Sequence, residues 1–155
     1  MESIAREAPG SRVSIEPATW RDLNAVRHIE QVCFPQDAWP LWDVIGVLAL
    51  PNVLRLKAVV GAELAGFVAA DIRWGKKEAW IATIGVLPAY RGRGIAAALL
   101  NACEEQLQVE RIRLCVRYSN TPAIRLYQQQ GYTRIDAWRR YYADGEDAIV
   151  FEKVI

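Results

Sequence analysis

Apolar positions between Val13 and Ile155 recur either on every second residue or on every third and fourth, and the switches between the two rhythms divide the chain into eleven elements. VSIEP (13–17) reads as a short strand. Thr19, with Asp22 three residues on, has the spacing of a capping box and opens a helix to about Cys33, whose stripe is Leu23, Val26, Ile29 and Cys33. FPQDAWP breaks that helix, because each proline drives its predecessor out of the α region. LWDVIGVLAL is a second short helix ending before Pro51, and with an Asp inside it is too short to span a bilayer. Three strands follow, LRLKAVV (54–60), AGFVAADIR (65–73) and AWIATIGVL (79–87), joined through GAE and GKKE turns as an antiparallel meander. The third is almost wholly apolar, which predicts cover on both faces.

Beyond the meander, Ile95, Ala98, Leu99, Ala102 and Cys103 make one face of a helix. RIRLCVR (111–117) is a strand, and a strand-helix-strand step of that length predicts parallel pairing with 79–87. Asn120 caps a further helix through Gln130, Pro122 sits in its first turn, and Gly131 supplies the left-handed stop. YTRIDAWRRYY and DAIVFEKVI close the chain as a hairpin turned at ADGE. The order predicts an α/β (α+β) domain with a mixed sheet over residues 13–155, behind a flexible tail at 1–12.

A chain of 155 residues, 52% hydrophobic, is long enough for one real core and too short for two ordinary domains. A net charge of +1 gives no global pull toward nucleic acid, and no basic amphipathic segment points to a membrane. Charge is uneven, however: Arg91 to Arg140 holds nine arginines, no lysine and four acidic residues, a half that could face a small polyanion. The tail has no apolar signal-peptide core, and Cys33, Cys103 and Cys115 lack CxxC spacing in apolar settings, which fits reduced thiols in the cytoplasm. The single histidine, His28, falls opposite the apolar stripe of its helix, so neither a metal site nor a Ser-His-Asp triad is expected.

The stretch VLPAYRGRGIAAALL (86–100) carries the first chemistry. Backbone N–H groups at a glycine-bracketed helix start lack intrahelical partners and share the positive end of the dipole, a setting that favours phosphate. A Walker loop would need Gly-Lys-Ser/Thr, which is absent. A dinucleotide fingerprint fits Gly92-Arg-Gly94-Ile-Ala-Ala97 literally, but the acidic residue it needs about 20 positions on is replaced by Cys115, Val116 and Arg117. The run R91-G-R-G94-I-A96, preceded by I84-G-V86, resembles the acetyl-CoA pyrophosphate loop of the GNAT superfamily of N-acetyltransferases. SNTPAIRLYQQQGY (119–132) is similar to that superfamily's second signature, in order and at the expected distance.

That resemblance extends over about Val13 to Ile155 and implies a GNAT-like, mostly antiparallel sheet with a central parallel strand pair and helices on both faces. It implies acetyl-CoA as cosubstrate, held by Ile84, Gly85, Val86, Arg91, Gly92, Arg93, Gly94, Ile95, Ala96 and Asn120. CFPQDAW (33–39) and WRRYYADGEDAIVFEK (138–153) resemble the loops with which protein N-terminal acetyltransferases cover a peptide, so Phe34, Pro35, Tyr141 and Tyr142 would line the acceptor site. Phe34 and the tyrosines also fit ordinary core or hairpin packing. Both the bacterial ribosomal-protein alanine acetyltransferases and a eukaryotic branch acting on Met-starting chains share these segments.

The reaction needs a neutral amine, a stabilised oxyanion and a proton for the leaving thiolate. By the resemblance, backbone N–H groups near Ile84 to Val86 serve the oxyanion and Tyr127 is the general acid; a tyrosine at helical spacing from Ile124 also fits the core. Arg91 and Arg93 would add charge near phosphate. The family's base is missing: Cys115 stands where the bacterial enzymes have Glu and the eukaryotic branch His, and Trp80 stands where that branch has Tyr. A thiol among apolar neighbours is inert, which leaves a water-relayed carboxylate (Glu30, Asp37 or Glu78) or no dedicated base. At pH 7 about 10% of an α-amine is neutral against roughly one lysine in 2,000, a difference on the order of 3–4 kcal/mol. A weak base therefore favours chain N-termini. The sequence predicts acetyl transfer by direct ternary complex to a protein or peptide N-terminus, or to a small amine, by a monomer or dimer; a non-catalytic acetyl-CoA-binding module is the reading from another class.

Overall fold

The computed structural model describes residues 12–38, 40–73, 75 and 77–155. The tail expected at 1–12 therefore falls, up to residue 11, outside the described residues, as do Trp39 of CFPQDAW and Lys76 of the GKKE turn. Seven strands form one sheet: β1 (Val13–Pro17), β2 (Val53–Val60), β3 (Glu63–Arg73), β4 (Glu78–Val86), β5 (Arg111–Arg117), β6 (Thr133–Trp138) and β7 (Ala148–Val154). Four helices lie on it, α1 (Leu23–Cys33), α2 (Leu41–Ala49), α3 (Ile95–Gln106) and α4 (Thr121–Gln129). The expected capping box forms, with Thr19 N–H donating to Asp22 at 2.8 Å, and it caps a 3-10 turn at Trp20–Asp22 that leads into α1.

The sheet order is β1-β2-β3-β4-β5-β7-β6. β1 to β4 are antiparallel neighbours, β4 and β5 run parallel, and β7 pairs antiparallel with both β5 and β6. The meander and the parallel step are those the sequence predicts; the placement of β7 between β5 and β6 is an addition. α3 and α4 cover one face over Leu56, Ala58, Val68 and Phe151, while α1 and α2 cover the other over Phe67 and Ala69. Alternate residues of β3 thus enter opposite cores, each large one contributing on the order of 1.5–3 kcal/mol by burial.

Two features open the sheet at its centre. Parallel pairing covers only Glu78↔Arg111 to Ile81↔Leu114. On the other edge of β4, Thr83 faces Ala69 and Ile81 faces Ala70, so Ala82 is an extra, bulged residue. A bulge bends its strand and increases its twist. The ladder to β5 ends where this bulge begins, and beyond it β4 and β5 part.

One expectation changes. The strand predicted over 132–142 stops at Trp138, and 139–147 is irregular. The ADGE turn does form, with Gly145 N–H bonded to the Tyr142 carbonyl at 2.9 Å, but away from the ladder. Arg140 takes a positive φ of 51° and its N–H is bonded by Asp147, while Asp144 and Glu146 are drawn to Arg117 at the end of β5. These ion pairs hold the segment as a loop over the opening between β4 and β5.

Candidate active site

The parted strands enclose a cavity of about 550 Å³. Consecutive residues of both strands reach it, Ile81 to Ile84 and Leu114 to Arg117, as expected where two neighbours lose their ladder. α1 and its following loop contribute Glu30, Phe34 and Asp37; α4 contributes Asn120 and Tyr127; the 139–147 loop contributes Tyr141 and Tyr142. Of the cofactor, acceptor and acid residues expected from the sequence, Phe34, Ile84, Asn120, Tyr127, Tyr141 and Tyr142 meet here, together with Trp80, Cys115 and the candidate bases Glu30 and Asp37. Pro35 is exposed in the loop after α1 and does not line the cavity.

Tyr127 sits on the buried face of α4 against Tyr132 and Phe151, with ring centroids 6.1 Å from each. Its hydroxyl makes no hydrogen bond to a described residue and belongs to the cavity wall. Burial pushes its pKa above the ordinary phenol value, so it carries its proton across the neutral range. Asn120 caps α4, its Oδ1 accepting from Ala123 N–H at 3.3 Å, and reaches the same wall. Cys115 is pushed up to about 11 by burial, which leaves it a neutral thiol.

The outer wall is aromatic. Trp80 stacks on Trp138 at 5.9 Å, Trp138 meets Tyr141 at 5.4 Å, and Tyr141 meets Tyr142 edge-on at 5.0 Å. Arg73 lies over the Trp80 ring at 5.3 Å and Arg117 over Tyr142 at 4.2 Å, both in cation–π range. Arg117 also grips Asp37 through two 2.7 Å bonds and reaches Asp144 and Glu146 at 2.8 and 2.9 Å. These bonds raise its pKa further and join the loop after α1 to the 139–147 loop. Trp138, Arg73 and Arg117 were not read as site residues from sequence. Alternation along β5 marks Arg117 and the aromatic residues at 138–142 mark Trp138, whereas no local pattern marks Arg73 at the end of β3.

The glycine loop lies past the C-terminal end of β4. Gly92 and Gly94 have φ of +78° and +74°, a region that disfavours any side chain, and a Cβ at either would meet nothing within 4 Å. Gly94 is the N-cap of α3 and no side chain caps the helix, so the first-turn N–H groups from Ile95 and Ala96 onward are left for a ligand. That geometry fits a pyrophosphate, whose close approach needs an open, Cβ-free cradle. The arginines are placed differently: Arg91 Nε donates to the Val86 carbonyl at 3.0 Å, and Arg93 stacks over Tyr90 at 5.4 Å. Tyr90 in turn donates to Glu63 at the start of β3. Gly85 has a packing reason of its own, since a Cβ there would lie 3.1 Å from Ile29 Cγ2 and 3.2 Å from Cys33 Sγ. The Cys33 thiol bonds the Val86 carbonyl at 3.3 Å, fastening α1 to β4.

Glu30, one of the three candidate bases, is buried, 2% exposed, with Thr83 Oγ1 donating to its Oε1 at 2.6 Å. Burial raises its pKa and the Thr83 bond lowers it by less. Asp37 is taken by Arg117. Glu78 lies off the cavity wall, bonded by the Trp80 indole at 3.3 Å and 3.7 Å from Arg113.

A strand pair that parts beside a glycine-opened helix start, with a tyrosine and an asparagine facing the gap, defines an acyl-CoA-dependent transferase class. A sequence model of the Acetyltransferase (GNAT) family matches residues 23–132, and the chain belongs to that family. It is an acetyltransferase, and acetyl-CoA is its cosubstrate. It is 32% identical to an "N-alpha-acetyltransferase" of Sulfurisphaera tokodaii over 94% of this chain and 95% of that one. The ribosomal-protein-S18-alanine N-acetyltransferase of Escherichia coli superposes with a TM-score of 0.85 at 29% identity, over 93% and 94% of the two chains. NAA60 of Arabidopsis thaliana, in complex with a bisubstrate analogue, also reaches a TM-score of 0.85, at 25% identity over 93% and 98%. Acetyl transfer to an amine is thereby supported.

Proposed function

We propose that the amine is the α-amino group of a protein or peptide N-terminus and that transfer is direct, within a ternary complex. The observation that carries this reading is the character of the acceptor wall. Phe34, Trp80, Trp138, Tyr141 and Tyr142 make it aromatic, and of its carboxylates Asp37 is paired with Arg117 at 2.7 Å, Asp71 is bonded by Asn52 at 2.7 Å with Arg73 at 3.9 Å, and Glu30 is buried. A polyamine would need free acidic groups there; the first side chains of a peptide need apolar surface. The relatives named for α-amino acetylation support the same choice.

In this reading, the backbone of Ile84, Gly85 and Val86 and the N–H groups of residues 92–96 carry acetyl-CoA, with Arg91 holding the Val86 carbonyl end of β4 in place. Asn120 bonds the pantetheine arm through its free amide. The β5-facing edge of β4 beyond Ile81 has no ladder partner among the described residues, so its N–H groups are available to an oxyanion. Tyr127 protonates the departing thiolate. Three thiols outside any CxxC pattern suit the cytoplasm.

The test is CoA-thiol release from acetyl-CoA by wild type and Tyr127→Phe over N-terminal peptides, N-blocked lysine peptides and small amines, with product masses. Release confined to free N-terminal peptides supports the reading. Turnover of small amines alone replaces it, and acetyl-CoA binding without any turnover moves the chain to a binding role.

A further inference from the structure

The mechanism above leaves the acceptor's proton without a destination, and the cavity holds one group that nothing yet explains. Glu30 is 2% exposed, lies on the cavity wall and has no cationic partner among the described residues, yet only Oε1 is bonded, by Thr83 at 2.6 Å. Oε2 makes no hydrogen bond to a described residue. No side-chain polar atom of the described residues is both buried and unbonded, so Oε2 is open to the cavity, where an acceptor amine can reach it. The other acids are committed: Asp37 to Arg117, Asp71 to Asn52 and Glu78 to Trp80 and Arg113.

We propose that Glu30 is the general base of the transfer, with Thr83 holding its carboxylate toward the acceptor amine. This rests on the N-terminal reading and deepens it. The acceptor ammonium gives one proton to Glu30, and the neutral nitrogen attacks the thioester carbon, forming the C–N bond. The C–S bond breaks and the thiolate takes the Tyr127 proton. The second proton lost by the nitrogen as the amide forms restores Tyr127, and Glu30 returns its proton to water, so one ammonium proton is released per turnover. Glu30's desolvation suits the task, because burial brings a carboxyl closer to the working pH. The titratable and charged groups near it are Cys33 and Arg91 beside α1, and Asp37, Asp71, Arg73, Cys115, Arg117, Tyr127, Tyr141 and Tyr142 around the cavity.

The experiment is the pH dependence of the single-turnover rate, with an N-terminal peptide, for wild type, Glu30→Gln and Thr83→Val, each checked for fold by circular dichroism. Wild type should be level through neutral pH. Glu30→Gln should be slower by roughly tenfold or more at pH 7, where about 10% of the α-amine is neutral, and should close on wild type above pH 8–9. Thr83→Val should shift the wild-type acid limb to higher pH, since the bond that favours the charged form is gone. A Glu30→Gln profile equal to wild type, a loss of the same size at every pH, or an unmoved limb in Thr83→Val overturns the proposal. If wild type turns over only another amine of the panel, the N-terminal reading fails and the same comparison with that amine decides the base. An enzyme that turns over no amine overturns both.

Discussion

Arg117 at the end of β5 and Asp37 in the loop after α1, 80 residues apart in sequence, are joined by two parallel hydrogen bonds of 2.7 Å. The guanidinium fork matches the carboxylate face to face and still reaches Asp144 and Glu146. It is therefore the common anchor of both loops, after α1 and at 139–147, that wall the cavity.

Arg117→Ala should misplace those loops and lower kcat/KM for the acceptor on the order of 10²-fold, with little change in the KM for acetyl-CoA. Arg117→Lys should recover only part, because an ammonium cannot bond bidentately to one carboxylate and reach two more. Initial-rate kinetics with each substrate varied in turn separate the effects; an equal rise in both KM values would mean that the clamp is not local to the acceptor side.

Tyr127→Phe removes a hydroxyl that no described residue bonds, so stability should hold while the rate falls, about 10²-fold or more at unchanged acetyl-CoA affinity. Stopped-flow transfer rates beside a cosubstrate titration measure both. Retention of the wild-type rate would remove Tyr127 from the chemistry and leave it as core.

Cys115→Ala should keep most of the activity at pH 7, since the thiol is neutral there. The cysteines act on stability instead. Cys115 and Cys103 are raised to about 11 and about 12, so above the unfolded value the native state holds protons that the unfolded state has lost, and stability falls as pH rises. Raised Tyr127 and Tyr132 act in the same direction above pH 10. Urea midpoints should decline from about pH 9 upward, less steeply in Cys115→Ala.

What the sequence discloses is what neighbours within a few residues decide. Thr19 with Asp22, Asn120 and Gly131 mark helix ends by local bonding, and the apolar run 79–87 announces a covered strand, which falls within a residue of β4. The β6 strand was over-extended because its end is set by Arg117, whose partners lie 27 and 29 residues away in the loop and 80 away beyond α1. No local pattern reports such pairs. Glu30 lies between: four residues after Val26 and three before Cys33, it is on the buried stripe of α1 by helical spacing, a signal masked by its charge. The roles of the glycine loop came from resemblance to the family, whereas the packing role of Gly85 needed the fold.

Gly85→Ala tests that packing role. The new methyl would press on Ile29 and Cys33 at 3.1–3.4 Å, where α1 packs on β4. Overpacking of this size costs about 1–3 kcal/mol, to be read from urea unfolding. The same push would lift α1, and with it Glu30, away from Thr83 across a bond of 2.6 Å. The acid limb of activity should then move toward higher pH, as in Thr83→Val. If Gly85→Ala lost stability but kept the wild-type pH profile, the fit of α1 on β4 and the orientation of Glu30 would be independent, and the base would owe its placement to the Thr83 bond alone.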